Sequence, residues 1–149
     1  ILEDVFFNNG GLSPSNVMIR KKYYLGVGGF DESLVASQGR DLFVRLIDRY
    51  GMAKLINLQL VNHYQVHGIN RISDSKNHVI GGWMELKKNR HMMTYDVYHW
   101  RLASMYLKEF KFEKTVTKKA YWFAKAVKHV RFWRFRSYVN LFLRALLVR

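Results

Sequence analysis

The sequence predicts an α/β segment over residues 1–75, with short strands and one amphipathic helix, followed by a mostly helical, basic extension over residues 76–149. Apolar residues recur at helical spacing after position 41 and at alternate positions after position 55, the periods of an amphipathic helix and of a half-buried strand. Residues 1–75 hold 8 Lys and Arg against 7 Asp and Glu, whereas residues 76–149 hold 17 against 4. We therefore expect the two parts to have different roles.

The length and composition restrict the possible architectures. A chain of 149 residues is long enough for one domain with a sizeable core, but not for two full domains. It contains no cysteine, which excludes disulfides and thiolate metal sites. No apolar run reaches the roughly 20 residues that a bilayer-spanning helix needs. Because the chain begins with Ile1 and has no leader pattern, we expect it to be part of a longer protein.

The first elements are loops and short segments. Residues 8–15 hold the only proline and several turn formers, which predicts a loop. The sequence "NVMIR" over residues 16–20 predicts a short strand, and residues 21–27 predict a helical turn closed by two glycines that can adopt positive φ. The stretch "GVGGFD" lacks the third glycine of a dinucleotide-binding loop. It predicts instead a tight turn with Phe30 anchored in the core.

The middle of the chain predicts one helix and one strand. Helical spacing of apolar residues over positions 41–50, with Gly51 as a natural stop, predicts the helix. Residues 56–66 alternate between apolar and polar, which predicts a half-buried strand. His63 and His67 would then share the polar face of this strand.

The sequence of residues 76–149 predicts helices, and its excess of positive charge favours a polyanionic partner. Residues 76–149 contain no proline and little strand pattern, which favours helices near 76–93, 95–110, 112–129 and 131–148. Cations interleaved with aromatic residues in such helices suit an anionic membrane surface. A non-enzymatic module that binds nucleic acid is the alternative, although no zinc finger, RNA-recognition signature or helix-turn-helix is present. A helical bundle with a basic, solvated face is the third interpretation.

A series of short motifs over about residues 10–75 resembles a known enzyme family. The series is "SNVMIR" at 15–20, "VGGFDE" at 27–32, an acidic residue opening an Arg-containing helix at Asp41, and "YQVHGINRIS" at 64–73. In this order the motifs are similar to the C-terminal half of the catalytic domain of family 2, GT-A-fold bacterial glycosyltransferases. The resemblance implies that residues 1–75 are the acceptor-side part of a GT-A domain.

The resemblance also implies a reaction. It is the inverting transfer of a sugar from a nucleotide-sugar donor to a glycan or lipid-linked acceptor in the synthesis of surface polysaccharide or lipopolysaccharide. A carboxylate removes the acceptor proton, and a divalent cation, Mg²⁺ or Mn²⁺, offsets the charge of the leaving diphosphate. We expect an N-terminal half outside this chain to supply most of the ligands of that cation. The chain alone would then be inactive. We expect the protein to lie on the cytoplasmic face of the inner membrane.

Asp41 is the candidate catalytic base. It is the only carboxylate between Glu32 and Asp48, and a general base needs an ionisable group within reach of the acceptor. If Asp41 is instead matched to the second residue of the family's acidic pair, Gly39 falls at the position of the base. Asp41 would then be a first-turn residue favoured by the helix dipole and paired with Arg45 at i+4. The sequence leaves both interpretations open.

The candidate substrate-binding residues are polar side chains in or beside predicted loops: Ser13, Ser15, Asn16, Arg40, Arg71 and Ser73. The first three offer hydroxyl and amide groups to sugar hydroxyls, or simply cap a turn. Arg71 and Ser73 suit phosphate oxygens, or lie in a solvated loop. The resemblance places His67 near the donor diphosphate as a metal ligand, and its other interpretation is a polar residue on a solvated strand face.

Overall fold

The computed structural model describes residues 2–8, 12–51, 54, 56, 58, 60–62, 75–130 and 139. Every regular element in these residues is a helix, and they contain no strand. The chain forms two compact units, which we call the first unit (Ile1–Gly81) and the second unit (Gly82–Arg149). The predicted α/β class, with short strands in a GT-A fragment, is therefore wrong for the described part of the chain.

The first unit contains three helices and the beginning of a fourth. These are α1 (Leu2–Asn8), α2 (Lys21–Gly26), α3 (Gln38–Tyr50) and the N-terminal part of α4 (Lys76–Lys88). Both α1 and α2 pack against α3. The core consists of apolar side chains from these helices and from the segment before α3: Val5, Phe6, Leu34, Ala36, Leu42, Phe43, Val44 and Val79.

The helix and the glycine turn of the first unit agree with the sequence predictions. The turn that follows α2 places Gly28 at φ 79° and Gly29 at φ 69°, in the left-handed region that glycine adopts at little cost. Helix α3 covers the predicted helix and begins a few residues earlier, after Ser37. It ends at Gly51, whose N–H donates to the carbonyl of Ile47 at 2.9 Å.

The two predicted strands are absent from the described residues. Residues 17–20 form no strand, and Met18 is 100% exposed. Ile56, Leu58 and Leu60, expected on a half-buried face, are 59–70% exposed. Alternation is only a local period, whereas a strand also needs a neighbour for its backbone groups and a layer to cover its apolar face. The part of the second strand that follows position 62 lies outside the described residues.

Phe30 also differs from its prediction. It is 43% exposed rather than anchored in the core, and its ring meets the ring of Tyr24 edge-on at a centroid distance of 5.8 Å. The N–H of Phe30 donates to the hydroxyl of Tyr24 at 3.3 Å. The turn therefore packs against Tyr24 of α2, the helix that it follows. Its buried residue is Gly29 and not Phe30.

The second unit contains the rest of α4, a 3₁₀ turn (Arg90–Met92), α5 (Tyr95–Phe112) and α6 (Val116–Lys128). Thr94 caps the N-terminus of α5, and its hydroxyl accepts a hydrogen bond from the N–H of Val97. Helices α5 and α6, joined by residues 113–115, pack together as a hairpin. The helices predicted near 76–93, 95–110 and 112–129 are confirmed. The one predicted near 131–148 lies outside the described residues except for Val139, which is helical.

A buried ion pair joins α4 to α5 in the core of the second unit. Arg101 donates to the carboxylate of Glu85, and both side chains are at most 1% exposed. Asn89, one turn after Glu85, is buried beside it and donates to Glu85 Oε1 at 3.5 Å. Buried charges of this kind are tolerated only when they are paired and hydrogen-bonded.

Within the described residues, no helix has both the length and the apolar character needed to cross a bilayer.

Candidate functional site

Motifs that are separated in the sequence meet at the N-terminal half of α3. The polar turn at residues 13–16 reaches it at Gly39: a Cβ atom on this glycine would lie 2.9 Å from Cγ of Pro14. The glycine turn at residues 27–29 is bonded to it through Arg45. Helix α3 therefore contacts the turn in which "SNVMIR" begins and the glycine turn of "VGGFDE".

Arg45 is the residue that connects the glycine turn to α3. Its Nη2 donates to the carbonyl of Gly29 at 2.8 Å, and its Nη1 donates to the carbonyl of Val27. The same guanidinium donates to Asp41 Oδ2 from Nε at 2.9 Å and from Nη2 at 2.7 Å. A planar, permanently charged group with several donors suits this task. We call Asp41, Arg45 and the two carbonyls the α3 clamp.

Asp41 is fully enclosed in this arrangement. Its side chain has 0% exposure, and that of Arg45 has 18%. A sugar hydroxyl cannot reach the carboxylate unless the surrounding groups move, and Oδ2 already accepts two charge-assisted hydrogen bonds from the guanidinium of Arg45. The i+4 pair weighed from the sequence is thus present, and in this conformation Asp41 positions the turn. Its role as catalytic base stays a prediction.

Gly39 brings no carboxylate to the site. Besides the close approach to Cγ of Pro14, a Cβ atom at this position would lie 3.3 Å from Cδ of the same ring. Any side chain here would require the polar turn to shift. If position 39 is the base position of the family, the described residues supply no carboxylate there.

Ser13, Ser15 and Asn16 form a compact exposed turn. The Ser13 N–H donates to Asn16 Oδ1 at 2.7 Å, the Asn16 N–H donates to the Ser13 carbonyl at 3.0 Å, and the two serine hydroxyls are 2.9 Å apart. The three residues cap a turn, as one interpretation of the sequence expected. Ser15 and Asn16 are nevertheless exposed, so solvent and a ligand can reach them.

The other candidate residues are placed less fully. Arg40 is half-buried on α3, directly before Asp41. His67, Arg71 and Ser73 lie outside the described residues. No cluster of three or more His, Cys, Asp or Glu side chains suited to a metal ion exists in the part of the chain that the structure describes. The divalent cation that the resemblance implies, with His67 as a ligand, stays a prediction.

The sequence did not indicate a second polar cluster, which lies in the hairpin of α5 and α6. His99 and His129 approach with their Nδ1 atoms 2.8 Å apart. The ring of Tyr106 stacks on both Trp122 and His129, with interplanar angles of 22° and 19°. Burial, followed by the charges of His99 and of Lys125 and Lys128 on α6, lowers the pKa of His129. Only the packing of the two helices brings these groups together.

A comparison with protein-family models, with curated proteins and with solved structures found no significant match for the chain.

Proposed function

We propose that this chain is the acceptor-side part of an inverting glycosyltransferase, which transfers a sugar from a nucleotide-sugar donor to a glycan or lipid-linked acceptor. The observation that supports the proposal is that α3, which carries one motif of the resemblance, contacts the neighbourhood of two others: Gly39 meets Pro14, directly before "SNVMIR", and Arg45 bonds the glycine turn. The proposal concerns the reaction, and an α/β architecture is not part of it.

The segments have different roles in this proposal. The exposed turn at residues 13–16 presents hydroxyl and amide groups, the chemistry that binds sugar hydroxyls. The α3 clamp fixes the glycine turn at one place on the helix, which keeps the neighbouring surface in a single shape. In this proposal Arg40, which directly precedes Asp41 on α3, contributes a positive charge to the acceptor or donor.

Asp41 has two possible roles within this reaction, and they predict different kinetics. As a base, it would act alone, and its loss would lower kcat by about 10²–10⁴-fold with donor KM unchanged. As a positioning residue, it would act through Arg45. Removal of either partner would then produce similar losses, and the double variant would lose little more than each single variant. The burial of Asp41 favours the second role.

The experiment measures sugar transfer by the full-length protein with a panel of UDP-, GDP- and TDP-hexoses, by release of the nucleoside diphosphate. Asp41→Asn, Arg45→Gln and the double variant are compared with Asp48→Asn, a control at an exposed position of the same helix. Similar, non-additive losses support the positioning role. A large loss of sugar transfer in Asp41→Asn, with nearly normal transfer in Arg45→Gln, would identify Asp41 as the catalytic base. Absence of release with every donor would contradict the proposed reaction.

We also propose a peripheral location on the cytoplasmic face of the inner membrane, where lipid-linked acceptors are available. The excess of positive charge in residues 76–149 supports this location, because anionic lipid headgroups attract Lys and Arg clusters. Binding to anionic vesicles, compared with binding to oligonucleotides at the same ionic strength, tests the location against nucleic acid as the partner.

A further inference from the structure

Helix α6 has an exposed apolar face. Val116, Phe123 and Val127 are 80%, 39% and 47% exposed, and Ala120 between them is exposed as well. Their spacing of four, three and four residues aligns them on one side of a helix. We call these four residues the α6 stripe. Ala126, which is fully buried, lies about a quarter-turn round the helix from the stripe, so α6 packs through a neighbouring face and leaves the stripe uncovered.

The α6 stripe is accompanied by positive charge alone. Helix α6 contains Lys118, Lys119, Lys125 and Lys128 and no acidic residue. Lys118 and Lys128 are exposed, whereas Lys119 lies over the ring of Phe110 and Lys125 over the ring of Tyr121. An apolar stripe beside a cationic face is the pattern of a helix that lies in the headgroup region of an anionic bilayer.

Other occupants fit this surface less well. Residues 131–149 carry five arginines and no acidic residue, so that segment would bring like charge to α6. Nucleic acid would meet the lysines but gain little from aliphatic side chains, since it is bound through phosphates and stacked bases. Of the two described rings of α6 that could stack on bases, Trp122 is already stacked on Tyr106, and Tyr121 meets Trp122 edge-on and has the ammonium of Lys125 over its ring.

We infer that the α6 stripe is the surface with which the protein lies on an anionic lipid bilayer. The stripe enters the boundary between headgroups and acyl chains, and Lys128, the exposed lysine nearer to the stripe, extends its long side chain to the lipid phosphates. With 13 residues, α6 is about 20 Å long, so it lies along the surface and does not span the bilayer. This inference rests on the proposed membrane location and specifies the element that produces it.

Site-specific labelling tests the inference directly, because the chain has no cysteine and each introduced cysteine is unique. An environment-sensitive fluorophore is attached at Val116→Cys, Phe123→Cys or Val127→Cys. Lys118→Cys on α6 and Met18→Cys in the first unit are the controls. With vesicles of phosphatidylcholine and one-third phosphatidylglycerol, we expect a blue shift and quenching by nitroxide-labelled lipid at the stripe positions, but not at the control positions.

A vesicle-sedimentation assay measures the affinity. The variant Val116→Ser/Phe123→Ser/Val127→Ser is compared with Met18→Ser/Leu25→Ser/Val35→Ser, a matched control that removes three exposed apolar side chains from the first unit. We expect the stripe variant to bind about tenfold more weakly or worse, and the control to bind like the original chain. Lys128→Glu should weaken binding by about fivefold or more, and Lys118→Glu, on the side of α6 away from the stripe, should weaken it less.

The outcomes separate the two proposals. If the original chain binds neither anionic nor neutral vesicles, the membrane location itself fails. If it binds anionic vesicles and the stripe variant binds equally well, the location stands and the inference is overturned. Loss of oligonucleotide binding, or loss of self-association in the ultracentrifuge, in the stripe variant with vesicle binding unchanged would also overturn it. If the triple variant loses its helical circular dichroism, the labelling experiment tests the inference instead. Equal fluorescence responses at the stripe and control positions would then overturn it.

Discussion

The two units each contain a buried ion pair, and the pairs have different tasks. In the first unit, Asp41 and Arg45 are one turn apart on the same helix, and the arginine also holds the carbonyls of a neighbouring turn. In the second unit, Glu85 and Arg101 are on different helices and join α4 to α5. The same chemistry thus fixes a loop in one unit and the packing of two helices in the other.

The difference in exposure gives the two pairs different energetic consequences. Arg45 retains 18% exposure, so part of its charge stays solvated when its partner is removed. Arg101 has 1% exposure and Glu85 has none, so neither charge can recover water. Breaking a fully buried pair leaves an uncompensated charge in a medium of low dielectric constant. We therefore expect the pair in the second unit to be the more sensitive of the two.

Glu85→Gln should have the largest effect. We expect the free energy of unfolding of the second unit to fall by about 3–5 kcal/mol, because Arg101 stays buried without its counter-charge. All four tryptophans lie in this unit, so urea unfolding followed by tryptophan fluorescence reports on it. The double variant Glu85→Leu/Arg101→Met, which removes both charges, should recover much of the loss. A single variant as stable as the original would contradict the importance of this pair.

Arg45→Gln should have an intermediate and local effect. The change removes the bonds to Val27, Gly29 and Asp41, and we expect it to lower local stability by about 2–3 kcal/mol. Hydrogen exchange of the amides in residues 27–31 and 38–50 should become faster, with the tryptophan-detected transition of the second unit unchanged. Asp48→Asn, at an exposed position of the same helix, is the control and should leave both measurements unchanged.

Two adjacent glycines of α4 allow a finer comparison. A Cβ atom on Gly81 would lie 2.6 Å from the backbone N and O of Ala36, whereas one on Gly82 would meet the flexible end of Met105 at 2.8 Å. We expect Gly81→Ala to destabilise the chain by about 1–2 kcal/mol, because backbone must move. Gly82→Ala should be near neutral, since Met105 can change rotamer and alanine favours the helix. Thermal unfolding of the two variants provides the measurement, and equal midpoints would contradict the expected clash with Ala36.

Acidification should have the smallest effect, confined to the second unit. Burial lowers the pKa of His129 in the folded chain below the ordinary value of about 6.5, so the unfolded chain binds more protons at mildly acidic pH. The stability that neutral His129 contributes is therefore present above about pH 6.5 and is lost as the pH falls below this value. Urea unfolding at a series of pH values should show this slope. His129→Gln should reduce the slope, while His91→Gln, at an exposed histidine, should preserve it.

The sequence predicted the features that depend on neighbours a few residues apart. The helical period over residues 41–50, the stop at Gly51 and the positive φ of the two glycines after α2 are all local properties. The pairing of Asp41 with Arg45 belongs to the same class, because residues four apart on a helix are adjacent. The location of the α3 clamp was therefore accessible from the sequence, although its bonds to the carbonyls of the turn were not.

The sequence did not predict the features that depend on packing between distant segments. Glu85 and Arg101 are 16 residues apart, and His99 and His129 are 30 apart. Their contacts depend on how helices are oriented, and no local pattern specifies that orientation. The predicted strand over residues 56–66 was wrong in its described part for a related reason, since alternation specifies a face but supplies no partner strand.

The hairpin of α5 and α6 also has a consequence for how the chain acquires its structure. Its two helices are consecutive and are linked by residues 113–115 alone, so the contacts next to this connection join residues that are near in sequence. Closing such a short loop takes well under a microsecond, whereas α1 and α3 must meet across the whole intervening segment. We therefore expect the hairpin to close quickly once both of its helices are available, independently of the order in which the upstream helices assemble.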